Sequence, residues 1–389
     1  MKVPLAVPNL NGREAEYLQE CIRSTFVSTA GPFVNRFEQQ IADISGTDTA
    51  TVTCSGTVAL HMALEGLGIG TGDLVMVPSL TFIASANSVR HSGADVWLVD
   101  CRRDDWTIDL ELAGEAIERH TVAHPAGRLH VESGRVLKAL MPVMIMGSSL
   151  DFDAHVRFAR QYGLRVVVDA AAAIGAEAAD GTALGATGVD AVCYSFNGNK
   201  TVTSGGGGAV AAADRGLVDR IDHLVSTGRV GTAYDHDVVA YNFRMTNVEA
   251  AIGVAQLERL EQFLVRKREI HDRYVELASR HPDLEPFPTP TLGRSAYWFS
   301  GLFFTGDDLG RCDEFRSFMV GHDIDVRPFW KPIHLQAPYA GAISTDVSVT
   351  DRLWRRIVPL PCSTGITDGE LDFVVDRAAE FWGDPSRHV

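Results

Sequence analysis

LRVVVDAAAAIGAEAADGTALGATGVDAVCYSFNGNKTVTSGGGGAVAAA, residues 164–213, holds three apolar runs, each leading into polar or glycine-rich residues. A strand with one face in water carries a polar residue at every second place. These runs do not, so we read them as strands covered on both faces. Similar runs lie upstream: TATVTC (49–54), LVMVP (74–78), DVWLVD (95–100) and LKALMPVMIM (137–146). Helical patterns at 56–67, 83–89 and 153–162 alternate with them, the first opening after Ser55 and the last at Asp151 or Asp153. Alternation of this kind needs crossovers, so an α/β fold with a mainly parallel central sheet flanked by helices is expected. The polar stretch 119–135, broken by Pro125 and by glycine and serine, reads as a surface loop.

Further on, one long amphipathic pattern (Val248, Ile252, Leu257, Leu260, Leu264) runs to about residue 279 and meets the proline-rich HPDLEPFPTPTLG, 281–293. We expect a large α/β domain over 1–250, and over 251–389 a linking helix with a smaller α+β domain. The latter contains the strand-like YWFSGLFF (297–304) and helical patterns at 312–320 and 368–381. At 389 residues and 46% hydrophobic, the chain can fill two such cores. A net charge of -15 disfavours a nucleic-acid partner, which needs clustered cations. Six scattered cysteines show no metal spacing, so no structural metal is expected. The beginning, MKVPLAVPNLNGREAEYLQE, turns polar too early for a secretory leader, and residues 136–146 are too few to span a bilayer. The expectation is a soluble cytoplasmic protein without a membrane partner.

Three elements carry candidate chemistry. In VTCSGTVAL (52–60) a strand enters a helix through Ser55, Gly56, Thr57 and Val58, where free amides and hydroxyls suit an anion; the same residues also make an ordinary helix start. Asp169 ends an apolar strand, where open parallel sheets bind ligands, although a carboxylate there also serves as a helix cap. Lys200, in YSFNGNKTVTSGGGGAV (194–210), follows another apolar strand and precedes four glycines. Its amine could form an imine with a carbonyl, or remain a solvated charge beside a flexible turn. Together an anion cup, a carboxylate for a pyridine nitrogen and an imine-forming lysine are what pyridoxal phosphate requires of a protein. Phe82, in PSLTFIASAN (78–87), could stack on its ring or belong to the core.

Seven motifs make the chain resemble the DegT/DnrJ/EryC1/StrS family of sugar aminotransferases, fold-type I pyridoxal-phosphate enzymes, over nearly its whole length. They are VSTAGPFVNRFE (27–38), SGTVALHMAL (55–64), PSLTFIASAN (78–87), VVDAAAAIGA (167–176), SFNGNK with TSGGGG (195–208), YNFRMTN (241–247) and RPFWKPIHLQAPY (327–339). The resemblance implies that Lys200 binds the cofactor covalently and acts as acid and base, and that Asp169 pairs with the pyridinium. It also implies that Ser55 to Val58 with Ser195 hold the phosphate, and that Asn242 reaches the phosphate of the neighbouring subunit in a homodimer. Arg244, Arg327, Phe329, Lys331 and His334 would lie near the substrate channel, with Phe329, Trp330 and His334 equally suited to structural roles. Glutamate would be the donor and a nucleotide-linked 4-keto-6-deoxyhexose the acceptor, with a free keto-sugar or keto-cyclitol as the alternative.

Two positions depart from the family's pattern. Met144-Ile145-Met146-Gly147 stands where relatives commonly read His-Leu-Tyr-Gly, and Ala172 stands where they carry Gln, His or Glu. Both changes remove polar groups expected beside the cofactor. A sugar dehydratase is a weaker reading, because relatives that dehydrate replace the lysine or recruit an iron–sulfur partner, whereas this chain keeps Lys200 and has no cysteine cluster. A catalytically silent regulatory protein of the same fold is also a weaker reading, given Lys200, Asp169 and Ser195.

Overall fold

A computed structural model describes residues 2–288 and 292–383. Residues 289–291, within the expected proline-rich boundary, lie outside the described residues. Nine strands of the main sheet come from the first part of the chain: β1 (Thr49–Thr53), β2 (Asp73–Pro78), β3 (Asp95–Val99), β4 (Thr121–His124), β5 (Gly127–His130), β6 (Arg135–Leu140), β7 (Arg165–Asp169), β8 (Ala191–Ser195) and β9 (Gly208–Ala212). A tenth, β10 (Ile343–Ser344), arrives from the C-terminal part. The order is β1-β9-β8-β7-β6-β2-β3-β10. Strands β8, β7, β6, β2, β3 and β10 are parallel, and β9 runs antiparallel to both of its neighbours.

The apolar runs are covered on both faces, as their patterning requires. Leu74, Met76, Val166 and Val168 join one buried cluster, while Val75, Val77 and Val167 point the other way into a second. Side chains alternate across a strand, so consecutive apolar residues feed the two layers in turn. A third cluster gathers the C-terminal strands Leu284–Pro286, Ser300–Phe304 and Ile357–Leu360 with the helices Gly310–Gly321 and Asp368–Trp382, and takes in Val3 and Leu5.

Local structure departs from the sequence reading at three places. The stretch 119–135 is not a surface loop: Arg119 and His120 end the helix Leu110–His120, and the rest forms the β4–β5 hairpin and the turn into β6. Thr121 pairs with His130 and His124 with Gly127, and β5 joins β6 antiparallel. Its Pro125 and Gly134 form the two turns, and His130 is buried edge-on against Trp97, with ring centres 4.8 Å apart. The long amphipathic pattern is broken into Asn247–Leu257 and Leu260–Ser279. The run 137–146 divides at Pro142 into the end of β6 and a single turn, Ile145–Gly147, with Met146 in the left-handed region at φ 55°. No helix among the described residues is long and apolar enough to cross a membrane.

Candidate active site

The carboxyl ends of β2, β6, β7 and β8 form one rim, because these neighbouring strands are parallel. Chain order reverses between β2, which leads outward to β3, and β6, which leads the other way to β7. Loops diverge at such a switch point and leave a crevice. A cavity of about 220 Å³ opens there, lined among others by Ser55, Gly56, Thr57, Phe82, Asp169, Ser195 and Lys200.

Asp169 closes β7 on the cavity floor and is only 5% exposed. Its backbone is fixed on both sides: the N–H donates to Pro142 O and the carbonyl accepts from Met144 N–H, each at 2.9 Å. The carboxylate accepts the Ser85 hydroxyl at 2.7 Å and the Ala171 amide at 3.0 Å. Burial nevertheless pushes its pKa up, opposed by Ser85, by the Ala171 amide and by the charge of Lys200. A buried carboxylate whose donors do not fully offset desolvation favours a further cationic partner.

Lys200 follows the tight Asn197 to Asn199 turn, in which its own N–H donates to Asn197 O at 2.9 Å. Burial lowers the amine's pKa to about 8, against the pull of Asp169. Its Nζ stands 3.7 Å from the centre of the Trp298 indole, whose N–H donates to Asn199 O at 2.7 Å. The other lysines are Lys2, Lys138, Lys267 and Lys331. None of these lines the cavity, and the amine of buried Lys267 is engaged by Trp298 O at 2.7 Å and Cys362 O at 2.6 Å.

At the far end, Ser55 caps the helix Gly56–Gly66, its hydroxyl accepting the Val58 amide at 3.2 Å. Val58 is therefore occupied within the cap, while the amides of Gly56 and Thr57, at the helix start, have no acceptor within the helix. A methyl on Gly56 would sit 2.6 Å from Ser195 Cβ, and one on Gly208 would sit 2.5 Å from Ser55 O. Only glycine lets the helix start and β8 and β9 approach this closely. The lining thus offers an anion cup, a buried carboxylate and a reactive amine in one cavity. Phe82 is 51% exposed at the rim, with Trp330 5.5 Å away. These residues fit pyridoxal phosphate.

Other expected site residues lie outside this cavity. Asn242 is exposed and pairs through its backbone with Ser226. Arg244 is held by Glu38 and Asp222, each at 3.2 Å. Arg327 is exposed and pairs with Asp325 at 2.9 Å, and Lys331 is also exposed. Phe329 is buried behind Trp330, with ring centres 5.0 Å apart. His334 bridges Ser79 Oγ at 2.7 Å and Asp351 at 3.0 Å.

Sequence reasoning missed Ser85 and Trp298. Ser85 lies in the first turn of the helix Ile83–His91, directly after Phe82 and within the PSLTFIASAN stretch, a placement that could have shown it. Trp298 carried no such signal. The Met144, Met146, Ala172, Trp298 and Trp330 side chains make one wall of the cavity largely apolar. Met146 at φ 55° and Tyr297 at φ 45° flank it, both in a region that costs non-glycine residues about 1–3 kcal/mol.

Residues 8–378 match the DegT/DnrJ/EryC1/StrS aminotransferase family. The chain is 35% identical to the GDP-perosamine synthase of Escherichia coli O157:H7, covering 98% of this chain and 99% of that protein. It is 34% identical to the GDP-perosamine synthase of Caulobacter vibrioides, covering 96% of each. Among solved structures, a DegT DnrJ EryC1 StrS aminotransferase from Brucella abortus superposes with a TM-score of 0.86 at 26% identity over 95% of each chain. The S. venezuelae protein DesV does so with 0.84 at 28%, covering 95% of this chain and 94% of that one. With Lys200, Asp169 and the Ser55 turn gathered at the switch point of the sheet, the chain belongs to the DegT/DnrJ/EryC1/StrS aminotransferase family and is a pyridoxal-phosphate-dependent aminotransferase.

Proposed function

We propose that this chain transfers an amino group from glutamate to a keto-sugar, with a nucleotide-linked 4-keto-6-deoxyhexose as acceptor. The convergence of Lys200, Asp169 and the Ser55 turn on one cavity carries the reading. Similarity to two GDP-perosamine synthases supports a nucleotide-linked acceptor. When bound, the cofactor supplies an electron-withdrawing ring that stabilises negative charge at the substrate carbon.

In this reading Lys200 holds the cofactor between turnovers and moves the proton at the amine-bearing carbon. An amine with a pKa of about 8 is roughly one-tenth neutral at pH 7, far more than an ordinary lysine, and the neutral form is what a general base needs. Asp169, kept in place by Ser85, holds a proton on the ring nitrogen. The Ser55 turn with Ser195 takes the phosphate, Val58 completing the cap behind it, and Phe82 covers the ring. Asn242, exposed and outside its own chain's cavity, reaches the phosphate of the neighbouring subunit in a homodimer. Arg244, locked by Glu38 and Asp222, sets the segment that carries Asn242. Arg327 and Lys331 offer exposed cations to the anionic part of the acceptor, while Phe329 and His334 fix the segment between them.

A free keto-sugar or keto-cyclitol is the second reading, favoured by the apolar wall of Met144, Met146 and Ala172. Incubating the protein with glutamate and a panel of nucleotide-linked and free keto-sugars, with products followed by mass, separates the two. Amination confined to nucleotide-linked 4-keto sugars is the expected result; amination of free sugars alone would overturn it. Turnover surviving in Lys200→Ala would overturn the role of Lys200.

A further inference from the structure

We propose that Trp298 is the positioning residue for Lys200: one edge of its indole ties down the loop that carries the lysine, while its face seats the amine. The inference rests on Lys200 being the reactive amine.

Both contacts come from one rigid group. Indole N–H donates to Asn199 O, the carbonyl immediately before Lys200, at 2.7 Å, and the ring centre lies 3.7 Å from Lys200 Nζ. A lysine has four rotatable side-chain bonds, so a loop anchored at its Cα does not by itself place its amine. A second contact at the far end does. Trp298 is itself held firmly, being 2% exposed and nearly parallel to Trp330, with ring centres 5.9 Å apart. Its carbonyl accepts from the buried amine of Lys267 at 2.7 Å. Its backbone N lies so close to Gly147 that a methyl there would come within 2.8 Å.

The aromatic face also acts electrostatically. Burial drives the Lys200 pKa down against the pull of Asp169; a ring face attracts an ammonium more than a neutral amine, so Trp298 acts in the same sense as Asp169. The indole therefore helps keep the amine titrating near the working pH, where it can both accept and donate a proton.

Competitive acetylation of the cofactor-free protein across pH, read by mass spectrometry on the peptide bearing Lys200, reports the amine's titration without any turnover. Trp298→Leu removes both contacts, and the half-reaction pH is expected to fall by about half to one unit. Trp298→Phe keeps an aromatic face but no donor. Its labelling pH should stay near wild type, while kcat of the holoenzyme falls by roughly three- to tenfold at nearly constant KM because the loop loosens. An unchanged labelling pH in Trp298→Leu would overturn the inference. Should that variant not fold, an unchanged kcat in Trp298→Phe would overturn it alone. Turnover by Lys200→Ala would instead defeat the reading of Lys200, so the two failures are distinct.

Discussion

Ser85 gives Asp169 its side-chain donor, and a hydrogen bond to a buried charge contributes about 1.5–3 kcal/mol. Ser85→Ala should therefore weaken cofactor binding or lower kcat by roughly 10- to 100-fold with the fold retained, as spectral titration and steady-state rates can check. Lys200 makes a pH-dependent prediction. Its folded pKa of about 8 lies below the ordinary 10.5, so between those values the unfolded chain keeps a proton that the folded chain has released. Stability therefore rises with pH through that window, and the charged amine is a burden below pH 8. Cofactor-free Lys200→Met should melt above wild type below pH 8, with the gap closing towards pH 10.5 in thermal scans. Lys200, Asp169 and Ser55 were legible because each adjoins an apolar run whose carboxyl end faces the ligand edge of a parallel sheet. Trp298 was not, since it meets Asn199 from 99 residues away and neither periodicity nor spacing marks a contact made only by folding.

At the scale of elements, the crossovers were legible from the spacing of apolar runs, whereas the hairpin within 119–135 was not. Only two residues separate β4 from β5, and its proline and glycines read equally well as loop breaks; the segment is held as strands by its pairing to β6, with His130 packed against Trp97. The antiparallel insertion of β9 was likewise hidden, because strand direction leaves no trace in an all-apolar run. Closeness between elements has a cost that can be measured. Gly56→Ala would place a methyl 2.6 Å from Ser195 Cβ, pushing the helix start away from β8. Overpacking of this kind costs about 1–3 kcal/mol, so we expect cofactor affinity to fall by roughly 5- to 150-fold, read by titration of the cofactor-free protein.

For the whole molecule, we read two folding units divided near residue 250, with Val3 and Leu5 returning to the C-terminal cluster. We further read a homodimer whose sites draw Asn242 from the opposite subunit. Mixing Lys200→Ala with Asn242→Ala subunits after mild dissociation should recover about a quarter of wild-type activity, because half the dimers then hold one intact site. Additive residual activities would show that each site is built from one chain. The central claim concerns one amine among the five lysines Lys2, Lys138, Lys200, Lys267 and Lys331. Borohydride treatment of the holoenzyme makes the lysine–cofactor linkage permanent, and peptide mass mapping then finds the lysine that carries it. The cofactor's added mass on the peptide bearing Lys200 alone is the predicted result; that mass on the peptide bearing Lys267 or Lys331, or on none, would contradict it.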